Sequence, residues 1–138
     1  MARDIFHTLV REILEKENWQ ITHDPFILKT GGLRMEIDLA AEQVIAANKG
    51  NQEIAVEIKS FLGKSKLNDF YEAKGQYDTY RRGLSNAGIN RTLFLAIDED
   101  IYASFFQKQI IKETIMEEKI HLIVFNSNSK TIITWLIH

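Results

Sequence analysis

The segment Arg91–Ile97, with the sequence RTLFLAI, places the strongest constraint on the fold of this chain. After its first two residues it is entirely apolar. A strand that is apolar on both faces is typical of the centre of a sheet that helices cover on each side. Stretches with helical periodicity precede and follow it in the chain. The sequence therefore predicts an α/β fold, with a mixed β-sheet flanked by α-helices.

Hydrophobic periodicity and turn residues predict the element order α-β-β-β-β-α-β-α-β-β. At 138 residues, the chain fits one domain spanning residues 1–138. The predicted helices are Ala2–Glu17, a helix from Asn68 or Asp69 to Gly83, and Asp98–Lys119. The predicted strands are Phe26–Lys29, Arg34–Ala40, Gln43–Asn48, Ile54–Phe61, Arg91–Ile97, Ile120–Asn126 and Thr131–Ile137.

Composition excludes several classes of function. The chain has no cysteine, which rules out disulfides, thiol nucleophiles and cysteine-ligated metals. Its net charge of −2 argues against a basic, DNA-binding surface over the whole chain. The start MARDIFHTLV has no secretion signal, and no stretch approaches the ~20 apolar residues of a membrane span. We therefore expect a cytoplasmic protein with no membrane association.

Acidic and basic residues alternate with apolar ones in two predicted strands. Glu57 and Lys59 share one face of their strand, because successive side chains of a strand point to opposite faces. Asp38 occupies the polar face of an earlier strand, between Ile37 and Leu39. If the two strands lie in one sheet with their apolar faces aligned, Asp38, Glu57 and Lys59 converge.

Two carboxylates and a lysine on one sheet face suit metal-dependent phosphodiester cleavage. Mg²⁺ or Mn²⁺ prefers oxygen ligands, which Asp38, Glu57 and the Ile58 carbonyl could supply. Lys59 could orient or deprotonate the attacking water. The alternative is a salt-bridged sheet in which Glu57 only neutralises Lys59. The Glu-x-Lys pattern is weak alone, since it recurs at Glu72/Lys74 and at Glu117/Lys119, where helical spacing separates the two side chains.

Basic residues are concentrated between Lys59 and Arg91. The acidic residues in the same range are only Asp69, Glu72 and Asp78. Such a surface beside the site could follow a phosphate backbone without sequence specificity, with Lys64 and Lys66 nearest to the predicted site. An ordinary solvated loop and helix face is the alternative. The basic residues are Lys59, Lys64, Lys66, Lys74, Arg81, Arg82 and Arg91.

The segment VEIKS, which follows a hairpin carrying Asp38, resembles the PD-(D/E)xK nuclease superfamily. More narrowly, the combination of IDLAAE, VEIKSF and GQY resembles the XisH family, the fdxN element excision controlling factors of filamentous nitrogen-fixing bacteria. This resemblance extends over nearly the whole chain. It implies a restriction-endonuclease-like fold with an α-β-β-β-α-β core.

The resemblance also implies roles for individual residues. Ile37 stands where the superfamily motif has proline, which leaves the metal position at Asp38 intact. Glu36 has the same strand parity and is a possible substitute ligand. The implied metal ligands and catalytic residues are Asp38, Glu57 and Lys59, with Gln76 and Tyr80 from a Gln-x-x-x-Tyr motif and Glu12 as an acidic residue on the first helix.

These residues lead to two expectations about function. The first is a Mg²⁺- or Mn²⁺-dependent DNA endonuclease, or a nuclease-like factor that controls programmed excision of a DNA element. The second is a non-catalytic accessory protein that keeps a nuclease fold to bind DNA or a partner. The resemblance implies an XisI-type companion protein. Self-association is a further possible source of targeting, because the chain has no recognisable DNA-reading module.

Overall fold

The computed structural model describes residues 4–46 and 50–138. The first residues of the predicted helix at Ala2 and the end of the predicted strand at Asn48 lie outside these ranges. The helices are α1 (His7–Lys16), α2 (Lys66–Asn86), α3 (Glu99–Ala103) and α4 (Gln109–Glu117). The strands are β1 (Gln20–His23), β2 (Phe26–Thr30), β3 (Leu33–Ile37), β4 (Leu39–Ala46), β5 (Gly50–Ile58), β6 (Thr92–Asp98), β7 (His121–Asn126) and β8 (Thr131–Leu136).

The main sheet has six strands in the order β1-β4-β5-β6-β7-β8. The central strands β5, β6 and β7 run parallel, and the outer pairs are antiparallel. Strands β2 and β3 form a separate antiparallel hairpin. This arrangement confirms the predicted mixed sheet flanked by helices and matches the restriction-endonuclease-like description at the level of its layers. In the described ranges, none of the helices is long and apolar enough to cross a membrane.

Each face of the sheet carries its own hydrophobic core. Ile54, Val56 and Ile58 of β5 belong to the core with α1 on one face, while Ala55 belongs to the core with α2, α4 and the β2–β3 hairpin on the other. Strand β6 is buried from Leu93 to Ile97, as its apolar sequence predicts. The strand that carries Glu57 is therefore covered on both sides, and Glu57 itself is buried.

The predicted strand Arg34–Ala40 is divided in the structure at Asp38. Strand β3 ends at Ile37 and pairs with β2, whereas β4 begins at Leu39 and pairs with β1 and β5. The packing explains the break, because Ile37 and Leu39 belong to the cores on opposite faces of the sheet. A single regular strand would place both on one side. The predicted strand at Gln43 is the continuation of β4.

The predicted helix Asp98–Lys119 is also interrupted. It consists of α3, a 3-10 turn at Phe105–Gln107, and α4. Phe105 and Phe106 are both buried. Ser104 leaves the helical region, with φ −109° and ψ −84°. This break lets two adjacent aromatic side chains enter the same core. In a continuous helix, adjacent side chains point about 100° apart.

Tyr77 links helix α2 to the sheet and is the basis of a stability prediction. Its buried hydroxyl donates to the Leu93 carbonyl at 2.8 Å and accepts from the His121 amide at 3.1 Å. We expect Tyr77→Phe to lower the free energy of unfolding by about 1–3 kcal/mol, because a buried carbonyl and amide lose their partner. Urea denaturation measures this change. The exposed Tyr71→Phe on the same helix is the control, and equal stability of the two variants would contradict the prediction.

Candidate functional site

A polar cleft of about 400 Å³ opens beside the end of β5. The turn before α1, the β3–β4 junction, β5 and α2 all contribute to its walls. Residues that the sequence analysis predicted as catalytic, metal-binding or substrate-binding line it together: Asp38, Glu57, Lys59, Gln76 and Tyr80. The cleft is also lined by Asp4, His7, Asp24, Pro25, Glu36, Ile58 and Glu72.

Asp38 and Glu57 meet at the point where the chain passes from β3 to β4. Because Asp38 lies between the two strands, its side chain can turn towards the end of β5. There its Oδ2 accepts a hydrogen bond from the Ile58 amide at 2.8 Å, and the Asp38 amide lies 3.3 Å from Glu57 Oε1. The predicted convergence is therefore present, although a break in the strand produces it and not the alternation of a continuous one.

The two carboxyl groups are in an environment that disfavours two negative charges. Burial and the nearby Asp38 charge raise the pKa of Glu57 to about 9. Burial also raises the pKa of Asp38, although its hydrogen bond from Ile58 opposes the shift. A proton on Glu57 removes one of these two negative charges. A divalent cation can replace that proton, because it relieves the same repulsion.

Lys59 directly follows β5, and its amide donates to the Ala96 carbonyl at 3.2 Å. Its side chain has the parity of Glu57 and faces α2, where its Nζ lies 2.6 Å from Glu72 Oε1. The lysine head is thus at the cleft, but it is paired with a glutamate that is itself more than half exposed. An exposed ion pair of this kind is weak and can be exchanged for another anion.

Gln76 and Tyr80 lie one turn apart on α2, and both line the cleft. Burial raises the pKa of the Tyr80 phenol, and the charges of Glu57 and Asp38 raise it further. Tyr80 is therefore a neutral hydroxyl that can donate a hydrogen bond. Glu36 lines the cleft as well, and its Oε1 lies 3.2 Å from Arg34.

Three predicted residues are not brought to the cleft. Glu12 is exposed on α1 and does not line it. Lys64 is exposed in the loop after β5, and Lys66 is exposed at the start of α2. The Lys66 ammonium donates to the Phe61 carbonyl at 2.6 Å, so it holds the loop in place.

The structure adds cleft residues that the sequence analysis did not identify, among them His7 and Asp24. His7 is buried, and its Nε2 lies 2.7 Å from Asp24 Oδ1. Its Nδ1 is also buried, has no hydrogen-bond partner among the described residues, and lies 3.9 Å from Asp38 Oδ1. The four histidines of the chain have no ligand spacing, and 17 positions separate His7 from Asp24. No spacing pattern in the sequence could have predicted that His7 and Asp24 are in contact.

Asp4 explains how His7 reaches the cleft. Its carboxylate accepts hydrogen bonds from the Phe6 amide and the Ser60 amide, each at 2.9 Å. One side chain therefore joins the turn before α1 to the loop after β5. This clamp places the first residue of α1, His7, beside the end of the strand that carries Glu57.

The donor set of the cleft fits a divalent cation. In residues 4–46 and 50–138 as they stand, no three His, Asp or Glu side chains are close enough to enclose a metal ion. Asp38 and Glu57 nevertheless lie together, the raised pKa of Glu57 marks a place where a cation can replace a proton, and the buried Nδ1 of His7 has no hydrogen-bond partner among the described residues. Ile58 lines the cleft while its side chain lies in the core, so it contributes its backbone.

Comparisons with known proteins agree over nearly the full length of the chain. A family model described as XisH protein matches residues 1–133. The chain is similar to the crystal structure of an fdxN element excision controlling factor protein from Anabaena variabilis, with 38% identity and a TM-score of 0.87, covering 97% of this chain and 99% of that one. An XisH family protein from Nostoc punctiforme PCC 73102 is 36% identical, with a TM-score of 0.87, covering 96% and 99%.

No curated protein matches the chain. The family model and the two crystal structures nevertheless agree with each other and with the sequence motifs. A shared fold at more than one-third identity over almost the whole length leaves one assignment, and the chain belongs to the XisH family.

Proposed function

We propose that this protein is a divalent-metal-dependent DNA endonuclease of the PD-(D/E)xK superfamily. One observation carries the proposal: the contact between Asp38 and Glu57 at the end of β5, with Lys59 two residues further on. A salt-bridged sheet edge would place Glu57 against Lys59 at the surface. Instead, Glu57 is buried against Asp38, and the Lys59 ammonium pairs with Glu72.

Each residue of the cleft has a role in this proposal. Asp38, Glu57, the Ile58 carbonyl and His7 Nδ1 would hold Mg²⁺ or Mn²⁺. When bound, the metal supplies charge neutralisation at the phosphoryl group and a more acidic water. Lys59 leaves Glu72 and orients the attacking water, and it can take a proton from that water once its own ammonium proton has passed to Glu72 or to solvent. Gln76 and the neutral Tyr80 hydroxyl donate hydrogen bonds to water or to a phosphate oxygen.

The electrostatics of the cleft explain why a metal is needed. Before any cation binds, the side chains around Lys59 are mainly acidic, with Asp4, Asp24, Glu36, Asp38, Glu57 and Glu72 at the cleft. A DNA phosphate is repelled by such a surface. A bound divalent cation would neutralise the Asp38 and Glu57 carboxylates where the scissile phosphate has to approach. DNA binding in the cleft is therefore expected to depend on the metal.

Metal binding tests this proposal directly. We expect calorimetric titration with Mn²⁺ to show one site, and Asp38→Asn and Glu57→Gln each to weaken it by more than about 100-fold, because each removes a charged ligand. Glu12→Gln is the control, since Glu12 does not line the cleft. The proposal fails if the wild type does not bind Mn²⁺, or if both cleft variants bind it as tightly as the control.

The biological role is proposed from a relative. Since a similar protein from Anabaena variabilis is described as an fdxN element excision controlling factor, we propose that this chain acts in controlling the excision of a DNA element. The proposed partners are DNA, an XisI-type companion and a second copy of the chain.

A non-catalytic accessory protein is the second candidate function. The observation that favours it is the Lys59–Glu72 ion pair at 2.6 Å, which holds the lysine head away from the two carboxylates. In this alternative, the cleft binds a metal for structure, and the fold serves to bind DNA or a partner. Metal binding without cleavage of any DNA substrate would favour it over the endonuclease.

Targeting by a partner leads to a prediction about assembly. With a net charge of −2 and an acidic cleft, we expect the isolated chain to bind DNA weakly, and to bind it more tightly with an XisI-type companion. Size-exclusion chromatography with light scattering, together with DNA binding at several salt concentrations, measures both effects. A strict monomer that ignores the companion and binds one DNA sequence tightly by itself would contradict this prediction.

A further inference from the structure

A chain of polar side chains leads from Arg11 on α1 to the cleft. The Arg11 guanidinium lies 2.7 Å from Asp24 Oδ2, and Asp24 Oδ1 lies 2.7 Å from His7 Nε2. Asp24 and His7 are both more than nine-tenths buried. The far nitrogen of His7, Nδ1, is directed towards Asp38 and has no hydrogen-bond partner among the described residues.

We propose that Asp24 and Arg11 are positioning residues that keep His7 in its Nε2–H tautomer, so that the Nδ1 lone pair faces the cleft. Coordination of a metal ion by Nδ1 rests on the proposed function, but the tautomer itself does not. The chemical class that this nitrogen suits is a transition-metal dication such as Mn²⁺, in preference to Mg²⁺, which favours oxygen ligands.

The hydrogen-bonding capacity of each group supports this assignment. An ionised carboxylate offers only acceptors, so the nitrogen of His7 that faces Asp24 has to carry the hydrogen. A neutral imidazole has one N–H, which leaves a lone pair on Nδ1. Arg11 holds the second oxygen of Asp24 with a charge-assisted hydrogen bond, which keeps the carboxylate oriented.

The lone pair of Nδ1 accepts no hydrogen bond from the described residues. Its distance to Asp38 Oδ1 is 3.9 Å, which is too long for a hydrogen bond. A buried polar atom without a partner is rare in native proteins and indicates a bound water, an ion or a functional role. Here that atom stands beside the two carboxyl groups proposed to bind a metal. A carboxylate that orients a ligating histidine is a common arrangement at metal sites, and its loss costs about 10- to 100-fold in metal affinity.

Nitrogen-15 NMR of the histidine side chains in the metal-free protein tests the tautomer. For the neutral imidazole of the wild type, we expect Nε2 of His7 to carry the hydrogen and Nδ1 to hold the lone pair. In Asp24→Asn, Arg11 will hold the amide oxygen, so the NH₂ group faces Nε2 and the hydrogen moves to Nδ1. Glu15→Gln is the control, because it removes the other carboxylate near Arg11 and leaves Asp24 in place.

A hydrogen on Nδ1 in the wild type overturns the proposal. This measurement decides it even if Asp24→Asn does not fold. An unchanged tautomer in a folded Asp24→Asn variant overturns the role of Asp24.

Pulsed electron paramagnetic resonance with Mn²⁺ tests the consequence for the metal. We expect a nitrogen coupling to bound Mn²⁺ in the wild type and in Glu15→Gln, and its loss in Asp24→Asn and in His7→Phe. Asp24→Asn should weaken Mn²⁺ binding by at least about tenfold and Mg²⁺ binding by less. Coupling that persists in Asp24→Asn contradicts the positioning role. Failure of the wild type to bind Mn²⁺ contradicts the proposed function, and the NMR result still decides the tautomer.

Discussion

Replacing Lys59 by methionine is expected to reduce metal-dependent DNA cleavage by about 100- to 10,000-fold, the usual contribution of a positioned acid–base group. Methionine keeps an unbranched stem of similar length and removes only the ammonium group. Because that group pairs with the partly exposed Glu72, the fold should be unaffected. Cleavage of supercoiled plasmid and of branched DNA with Mg²⁺ or Mn²⁺ measures the activity, and circular dichroism reports the fold.

Two further variants sharpen this test. Lys64→Met removes an exposed lysine five positions along the same loop, so it controls for a general loss of positive charge and should retain cleavage. Lys59→Arg keeps the charge but cannot give up a proton, so its inactivity would support a role in proton transfer. If Lys59→Met and the wild type cleave DNA equally well, Lys59 has no catalytic role in the observed reaction.

The second large effect is expected in the pH dependence of stability. The pKa of Glu57 is raised from 4.5 to about 9 in the folded protein. A carboxyl group whose pKa is raised by folding stabilises the folded state while it is protonated, so its contribution is complete below the unfolded pKa. That contribution declines as the pH rises from about 4.5 towards 9, by an amount of the order of 1 kcal/mol per pH unit.

Glu57→Gln removes this ionisation and keeps a side chain of the same size. We therefore expect the metal-free variant to be more stable than the wild type, by a margin that grows as the pH rises through that window. Urea denaturation at a series of pH values measures the margin. Saturating Mn²⁺ should raise the melting temperature of the wild type and leave that of the variant nearly unchanged, because only the wild type keeps the carboxylate ligand.

Glu12→Gln serves as the control for this comparison, since Glu12 is an exposed carboxyl outside the cleft. Its stability should follow that of the wild type at every pH. A stability difference between Glu57→Gln and the wild type that does not change with pH would contradict the burial of a protonated Glu57. It would also weaken the inference that a cation replaces the proton of Glu57.

The Lys59–Glu72 pair has a consequence for how the cleft works. Glu72 lies on the outer part of α2, and its carboxylate is more than half exposed. An incoming phosphate can therefore compete with Glu72 for the lysine at little cost, because exposed pairs contribute only about 0–1 kcal/mol. In the endonuclease proposal, the pair holds Lys59 at the cleft until substrate and metal arrive together.

Local sequence information was enough to predict the layers of the fold. The apolar run at Arg91–Ile97 predicted a central strand, because a strand buried on both faces leaves no polar face for water. Strand β6 lies at that position, in the interior of the six-stranded sheet. The motif around Glu57 and Lys59 also predicted the family. These features depend on neighbours within a few residues, and they are therefore visible in a single sequence.

The architecture of the cleft depended on long-range packing. The break at Asp38 arises because Ile37 and Leu39 enter different cores, and nothing in the local alternation of residues 34–40 signals that change. His7 reaches the cleft because Asp4 joins the turn before α1 to the Ser60 amide. Glu12, which family resemblance implied as a ligand, remains on the exposed side of α1.

The sequence alone thus determined which strands are buried and which three residues, Asp38, Glu57 and Lys59, carry the candidate chemistry. Only the tertiary structure decided what surrounds them: a glutamate buried against an aspartate, a lysine paired across to α2, and a histidine oriented by Asp24. The physical reason is that strand and helix periods report burial along one element. A hydrogen bond between residues 17 positions apart, such as that of His7 and Asp24, depends on how several elements pack together.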